Sequence, residues 1–178
     1  MAIFIEPPIP DVIRQIANSD YRRFAWEFFV FFSRFEYALK RVETYLDTEV
    51  SYARADWDRF ASDHGNLFIP EATPELAAAT SYFQEKPPRK QLQQNGGMMW
   101  SDPLTFQQNE PFLVWLLRNV RVVRNNLFHG GKFPLIPISD PSRDRELIGS
   151  AKTILDACLS LNHQVSHSFF EGINELEP

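Results

Sequence analysis

The fold class predicted for this chain is all-α, an up-down helical bundle with an elaborated crossover. Two observations predict it. Three long segments carry apolar residues at a 3.6-residue period, and no segment shows convincing period-2 alternation bounded by turn signals. At 178 residues the chain is long enough for one well-buried domain and short for two, so 1–178 is read as a single domain. An apolar fraction of 44% with 16 Phe and only 7 Gly describes a globular protein.

The first helix is predicted over 11–47. Phe24, Phe28, Phe31, Phe32, Phe35, Leu39, Val42 and Leu46 form its main stripe. A narrower stripe of Trp26, Val30 and Tyr37 lies on another side, as in a helix held between layers or at an oligomer interface. From about 48 to 105 the pattern breaks into an inserted region of short helices and loops. Asp56-Trp57-Asp58 opens one short helix, and Thr73-Pro74-Glu75 starts another that runs to Phe83. EKPPRK and QQNGGMMW read as loops. The second long helix covers 110–129, with Pro111 in its first turn and Phe112, Leu113, Leu116, Val120, Val123 and Leu127 facing the core. Gly130-Gly131 ends it, as suits a left-handed C-terminal position. A third starts near Asp140-Pro141 and runs to about Glu171, carrying Leu147, Ala151, Ile154, Cys158, Leu161, Val165 and Phe169 on one face.

The N-terminal residues MAIFIEPPIP place an acidic residue and three prolines where a signal peptide needs a basic end and an apolar run. The most apolar stretch, AWEFFVFFSRF, contains Glu27 and is flanked by arginines, which excludes a membrane span. Cys158 is the single cysteine, so no intrachain disulfide can form. A soluble, cytoplasmic protein is expected.

The net charge of −5 gives no global attraction to nucleic acid, but the charge is uneven. Between Pro111 and Ser139 stand Arg118, Arg121, Arg124 and Lys132, with no acidic residue. Phosphate responds mainly to charge within about 10 Å, so this local stretch outweighs the overall sign. It contains RVVRNNLFHGGK, residues 121–132, in which Arg124 and His129 frame four residues. An arginine can hold a phosphate, and an imidazole can move a proton near neutral pH. Together they supply the minimum chemistry for cutting RNA without a metal.

On an ideal helix Arg121, Asn125 and His129 drift by only about 80° and share a polar face, with Arg118 beside them. Arg124 stands roughly 140° from His129. Its guanidinium therefore either reaches around the helix or meets a histidine from a second copy in a two-fold dimer. His129 sits at the helix end, where the dipole favours imidazolium and suits an acid–base catalyst. In such a reaction the ribose 2′-hydroxyl attacks the adjacent phosphate, His129 shuttles protons, and Arg124 with Asn125 stabilises the phosphorane charge. Arginines on an exposed helix face with a histidine near its C-terminus are also common as plain helix-stabilising charges.

The RNNLFHGG segment resembles the HEPN superfamily of all-α bundles, whose motif is an Arg, often followed by Asn, Asp or His, then several residues and a His at a helix end. Arg124, Asn125 and His129 match it residue by residue. FSRFEYALKR, residues 32–41, is similar to the first helix of many members, in which an acidic residue such as Glu36 faces the active region. The likeness covers the Phe24–Val42 and Phe112–Lys132 segments well, the last helix loosely and 48–105 hardly at all. It implies a metal-independent, cofactor-free endoribonuclease, typically homodimeric, with RNA as partner. Members act in toxin–antitoxin modules, abortive infection and CRISPR effectors. On this resemblance the catalytic residues are Arg124, Asn125 and His129, Glu36 supports them, and Arg118, Arg121 and Lys132 guide RNA phosphates. An antitoxin or other protein partner is a further expectation. Some toxin members carry a tyrosine between the Arg and His that their antitoxin modifies; Asn-Leu-Phe at 126–128 gives no such target. The alternative is a catalytically silent module of the same fold that binds RNA, nucleotide or a protein.

Other candidates read more plainly. His163 and His167 are spaced i, i+4, but no third ligand completes a zinc set, and solvent-facing histidines are expected. Cys158 falls on an apolar stripe as a small core residue. His64 precedes Gly65 as a helix-end residue. Asn95-Gly96-Gly97 lacks the Lys-Ser/Thr of a phosphate loop. Trp57, Trp100 and Tyr82 have faces that can stack on bases, although aromatics in such places more often anchor loops.

Overall fold

Helix α1, Asp20–Arg41, buries Phe28, Phe32, Phe35, Ala38 and Leu39 along one stripe and closes on Lys40 and Arg41, cations suited to its negative end. The computed structural model describes residues 20–94, 96–107, 109–128 and 141–172. The remaining helices among them are α2 (Trp57–His64), α3 (Pro74–Glu85), α4 (Phe112–Phe128), α5 (Pro141–Leu159) and α6 (His163–Phe170). The described chain is thus mostly helical, and no helix in it is long and apolar enough to cross a membrane.

The first helix was expected to continue to residue 47, but α1 stops at Arg41. Val42 turns extended (φ −98, ψ 112), and a 3₁₀ turn, Glu43–Tyr45, follows. The turn drives the Tyr45 ring into the core, edge-on to Phe60 at 5.3 Å and near His64 at 5.9 Å. Continued helix would carry that ring elsewhere, so burial of one aromatic overrides the apolar period. Strand β1 (Leu46–Asp47) then pairs antiparallel with β2 (Arg54–Ala55), and the Asp47–Arg54 ion pair bridges them.

A second hairpin corrects the reading of QQNGGMMW, residues 93–100, as loop. β3 (Gln91–Gln94) pairs with β4 (Gly97–Trp100) in register Gln91↔Trp100 to Gln94↔Gly97. Two residues, Asn95-Gly96, join them, and Gly96 takes φ +79. Asn-Gly between strands is a strong two-residue hairpin signal, and it outweighs the weak alternation of the flanks.

The third long helix is broken. α5 ends at Leu159, Ser160 Oγ donates to the Ala157 carbonyl at 2.7 Å, and Asn162 caps α6 by accepting from Val165 N at 3.0 Å. The cap starts a separate helix. Arg34 of α1 completes the docking of α6 by donating to the Phe169 carbonyl at 2.6 Å and to that of Glu171, so it occupies the negative end of the helix.

The two short helices of the 48–105 region start where their capping residues predict. Asp56 accepts from Arg59 N and Thr73 from Leu76 N, with Pro74 in the first turn. Their side chains Trp57, Phe60, Leu76 and Phe83 join the same core as Phe28, Phe35, Leu116 and Ile154. α1 packs on α5 and α6, α3 on α5, and α2 on α4. Gly65 allows the last contact to close: a Cβ there would stand 2.8 Å from the Pro111 ring, which leads into α4.

Candidate functional site

α4 carries the residues singled out by the sequence, and its surroundings decide how they are presented. One core face was expected. The structure buries Val114, Trp115, Leu117 and Val122 as well as Leu113, Leu116, Val120, Val123 and Leu127. Asn119 and Asn126 are buried as well, so the polar residues open to solvent form a narrow strip bearing Arg118, Arg121, Arg124 and Asn125.

Along that strip an open cleft of about 190 Å³ is lined by Phe32 and Glu36 of α1, Arg54 and Ala55 of β2, Trp57 of α2, and Arg121, Arg124 and Asn125 of α4. Trp57 stacks on Phe32 at 5.0 Å and on Phe35 at 5.4 Å, so the wall shared by α1 and α2 is rigid aromatic core. Arg124 lies over Phe32 at 5.5 Å and over Phe128 at 5.9 Å, in cation–π range of both rings. Its Nη1 donates to Asn125 Oδ1 at 3.1 Å, while Nε is buried and lacks a partner among the described residues. A guanidinium carries its N–H groups as a planar fork, the geometry that suits a phosphate or carboxylate.

The other cations of the cleft have carboxylate partners. Arg121 Nη1 lies 3.2 Å from Asp58 Oδ1, Arg54 pairs with Asp47, and Glu36 is held by Lys40 at 2.7 Å. Arg118, one turn before Arg121, pairs with Asp58 at 3.0 Å and with Glu110 at 2.7 Å. Its hydrogen bond to Asp58 raises the Arg118 guanidinium above its ordinary value, and the bond from Arg54 lowers the Asp47 carboxyl below its own. The basic run free of acid in sequence is therefore countered in space: Asp58 arrives from α2 and Glu110 from the turn before α4. Arg124 forms no ion pair among the described residues.

Of the residues expected at the site, Arg121, Arg124, Asn125 and Glu36 line one cleft, and Arg118 stands outside its lining on the same strip. His129 and Lys132 lie outside the described residues. Arg54, Trp57, Asp58 and Phe32 were not expected there. Asp56-Trp57-Asp58 was legible as a helix start, but nothing in sequence ties it to an arginine 60 residues later.

The remaining candidates settle into structural places. His163 and His167 are exposed, with parallel rings 6.4 Å apart, and no group of three or more His, Cys, Asp or Glu among the described residues is placed to hold a metal ion. Cys158 is fully buried, and burial pushes its thiol far up. His64 ends α2 but is buried, stacked on Phe60, with Nδ1 2.9 Å from the Phe60 carbonyl and Nε2 3.2 Å from Asn162 Nδ2. Trp57 is core, Tyr82 lies under the Lys86 ammonium, and Trp100 remains 41% exposed. The expected second stripe of α1 is also open to solvent, with Trp26 at 61%, Val30 at 48% and Tyr37 at 42%.

The chain matches no family model, no curated protein and no solved structure.

Proposed function

We propose that this chain is a metal-independent endoribonuclease of the HEPN type, working as a homodimer. The observation that carries the reading is Arg124: a half-buried guanidinium braced by Phe32 and Phe128, bonded to Asn125, and without a carboxylate partner among the described residues. An arginine in that setting is poised for an oxyanion, and it opens the R-x4-H motif that His129 closes. In the proposed reaction a ribose 2′-oxygen attacks the adjacent phosphorus and the P–O5′ bond breaks. His129 moves the protons, and Arg124 with Asn125 stabilises the phosphorane charge. The products are a 2′,3′-cyclic phosphate and a 5′-hydroxyl. The exposed stripe of Trp26, Val30 and Tyr37 supports a second copy of the chain as partner. An activity of this kind fits a toxin or phage-defence component controlled by a protein partner.

The test is cleavage of single-stranded RNA in EDTA, with analysis of the product ends. Cyclic phosphate termini are expected, along with loss of activity in His129→Ala and Arg124→Ala. Cleavage that survives both substitutions rejects this site. One observation favours a second reading. The neutralisation of Arg118 and Arg121 by Asp58 and Glu110 suits a catalytically silent module of the same fold, one that binds RNA, nucleotide or a protein. Absence of cleavage by the wild-type chain, with ligand binding retained, selects it.

A further inference from the structure

The β3–β4 hairpin is the part of the fold that the proposed catalytic site leaves unused. Two strands of four residues joined by a two-residue turn are marginal by themselves, so what anchors them is informative. The root is held at several points. Ser101 N donates to the Lys90 carbonyl at 2.8 Å, and Lys90 N donates to Ser101 Oγ at 3.0 Å. Arg143 Nη2 donates to the Pro87 carbonyl at 3.2 Å. The buried side chain of Asn126 donates from Nδ2 to the Arg89 carbonyl at 2.8 Å. Asn126 directly follows Asn125 and stands two residues after Arg124, so the arm springs from the same end of α4 as the cleft.

Above this root, side chains on both faces of the hairpin reach solvent. Leu92 and Met99, opposite each other in the register, are each 44% exposed, and Trp100, opposite Gln91, is 41% exposed. Gln93 and Gln94 are exposed as well. Lys86, Arg89 and Lys90 are the charged residues from 86 to 101, with no acidic residue between those limits. In contrast to Arg118 and Arg121, none of the three has an ion-pair partner among the described residues. Lys86 sits over the Tyr82 ring, and Arg89 and Lys90 are exposed.

Cations that lack carboxylates among the described residues, beside the partly exposed Trp100 and glutamine amides that can meet base edges, match a single-stranded polynucleotide. A protein strand added to the hairpin edge would use the backbone and would have no need of that charge. We propose that the β3–β4 hairpin is a single-stranded RNA-binding arm. Arg89 and Lys90 hold the phosphate backbone at its root, and Trp100 stacks on a base, steadying the strand at the Arg124 end of α4. The proposal rests on the ribonuclease reading for its choice of RNA and deepens that reading by naming how substrate is gripped.

The experiment is a fluorescence-anisotropy titration of a 5′-fluorescein-labelled 20-nucleotide oligouridylate with the full chain carrying His129→Ala, so that cleavage does not consume the probe. Binding to the single strand is expected to exceed binding to a duplex RNA of equal length. Trp100→Ala should weaken it about tenfold, with Trp100→Phe close to the parent. Arg89→Ala/Lys90→Ala should weaken it further at low salt and lower the log–log salt slope by about 1.4, near 0.7 per lost cation. If Trp100→Ala alone lowers the thermal midpoint, Trp100→Phe and the double variant decide. Unchanged affinity in the stably folded variants overturns the arm, as does equal affinity for duplex or no binding at low salt. Variants that alter self-association and leave RNA affinity intact also overturn it, in favour of a protein-docking edge. The two readings fail separately. With His129 restored, cleavage that ignores Arg124→Ala rejects the catalytic site, whereas variants that keep parental RNA affinity reject the arm alone.

Discussion

The two halves of the polar strip on α4 carry the same residue type in opposite electrostatic settings. Arg118 and Arg121, in the earlier half, share Asp58 from α2, and Arg118 also holds Glu110. Arg124, one turn on, has rings where they have carboxylates: Phe32 below and Phe128 beside it. The first two close their positive charge internally and fasten α2 to α4. The third has no carboxylate partner among the described residues. Sequence spacing sets Arg124 apart by its angle on the helix, but the elements packed against the three arginines decide which of them meet carboxylates.

The largest effect expected from this contrast is on RNA cleavage. Arg124→Ala and His129→Ala should each lower the rate by about a hundredfold or more, as removal of a charge-stabilising or proton-transferring group does. Arg121→Ala and Arg118→Ala should stay within about fivefold, the scale of losing one phosphate contact. Equal losses for all three arginines, measured by single-turnover cleavage, would erase the distinction between the halves. Next in size is Trp57→Ala. Trp57 is buried and stacked on Phe32 and Phe35, so its removal should cost about 3–5 kcal/mol in urea unfolding. Retained stability would mean that the aromatic wall does not brace the cleft.

Asn126→Ala sharpens the comparison from the hairpin side. It removes the bond to the Arg89 carbonyl and should cost about 0.5–1.5 kcal/mol, with faster amide exchange at the root of β3 as the readout. Asp58→Asn tests the closed half directly. It releases Arg121 and leaves Arg118 with Glu110, at a stability change within about 1 kcal/mol because these pairs are largely exposed, and RNA affinity should rise a few-fold. A fall in affinity would contradict the assignment of Asp58 as a competitor of phosphate.

The smallest effect is the pH response of the Asp47–Arg54 hairpin. The hydrogen bond from Arg54 lowers the Asp47 carboxyl, so its contribution is complete above the ordinary carboxylate value, about pH 4, and fades as pH falls through the depressed folded value. Asp47→Asn should flatten the acid limb of the stability curve there, by a margin set by solvent screening, with no change near neutrality.

Legibility followed range. Apolar period and capping residues placed α1, α2, α3 and α4 because those signals act within one or two turns, as Thr73-Pro74 before α3 shows. The ends went astray where a distant contact overruled the local pattern. Tyr45 seated on Phe60 ended α1 early, and Asn162 turned one predicted helix into α5 and α6. The β3–β4 hairpin is readable from Asn95-Gly96, but its flanks QLQQ and GMMW carry no clear period-2 alternation. Of the candidate site, Arg121, Arg124, Asn125 and Glu36 were identified and come to one cleft, but Arg54 and Asp58 carry no local signal that connects them to α4.

The sequence by itself determined that the described chain is mostly helical and that Arg124-Asn125 stands near the end of a long helix with an apolar core face. Those are consequences of side-chain periodicity and backbone preference, which neighbouring residues set. Only the tertiary structure decided which of these arginines meet carboxylates among the described residues. Coulomb attraction and hydrogen bonding depend on distance in space, and packing α2 against α4 brings Asp58 to Arg118 and Arg121 while it leaves Arg124 among rings.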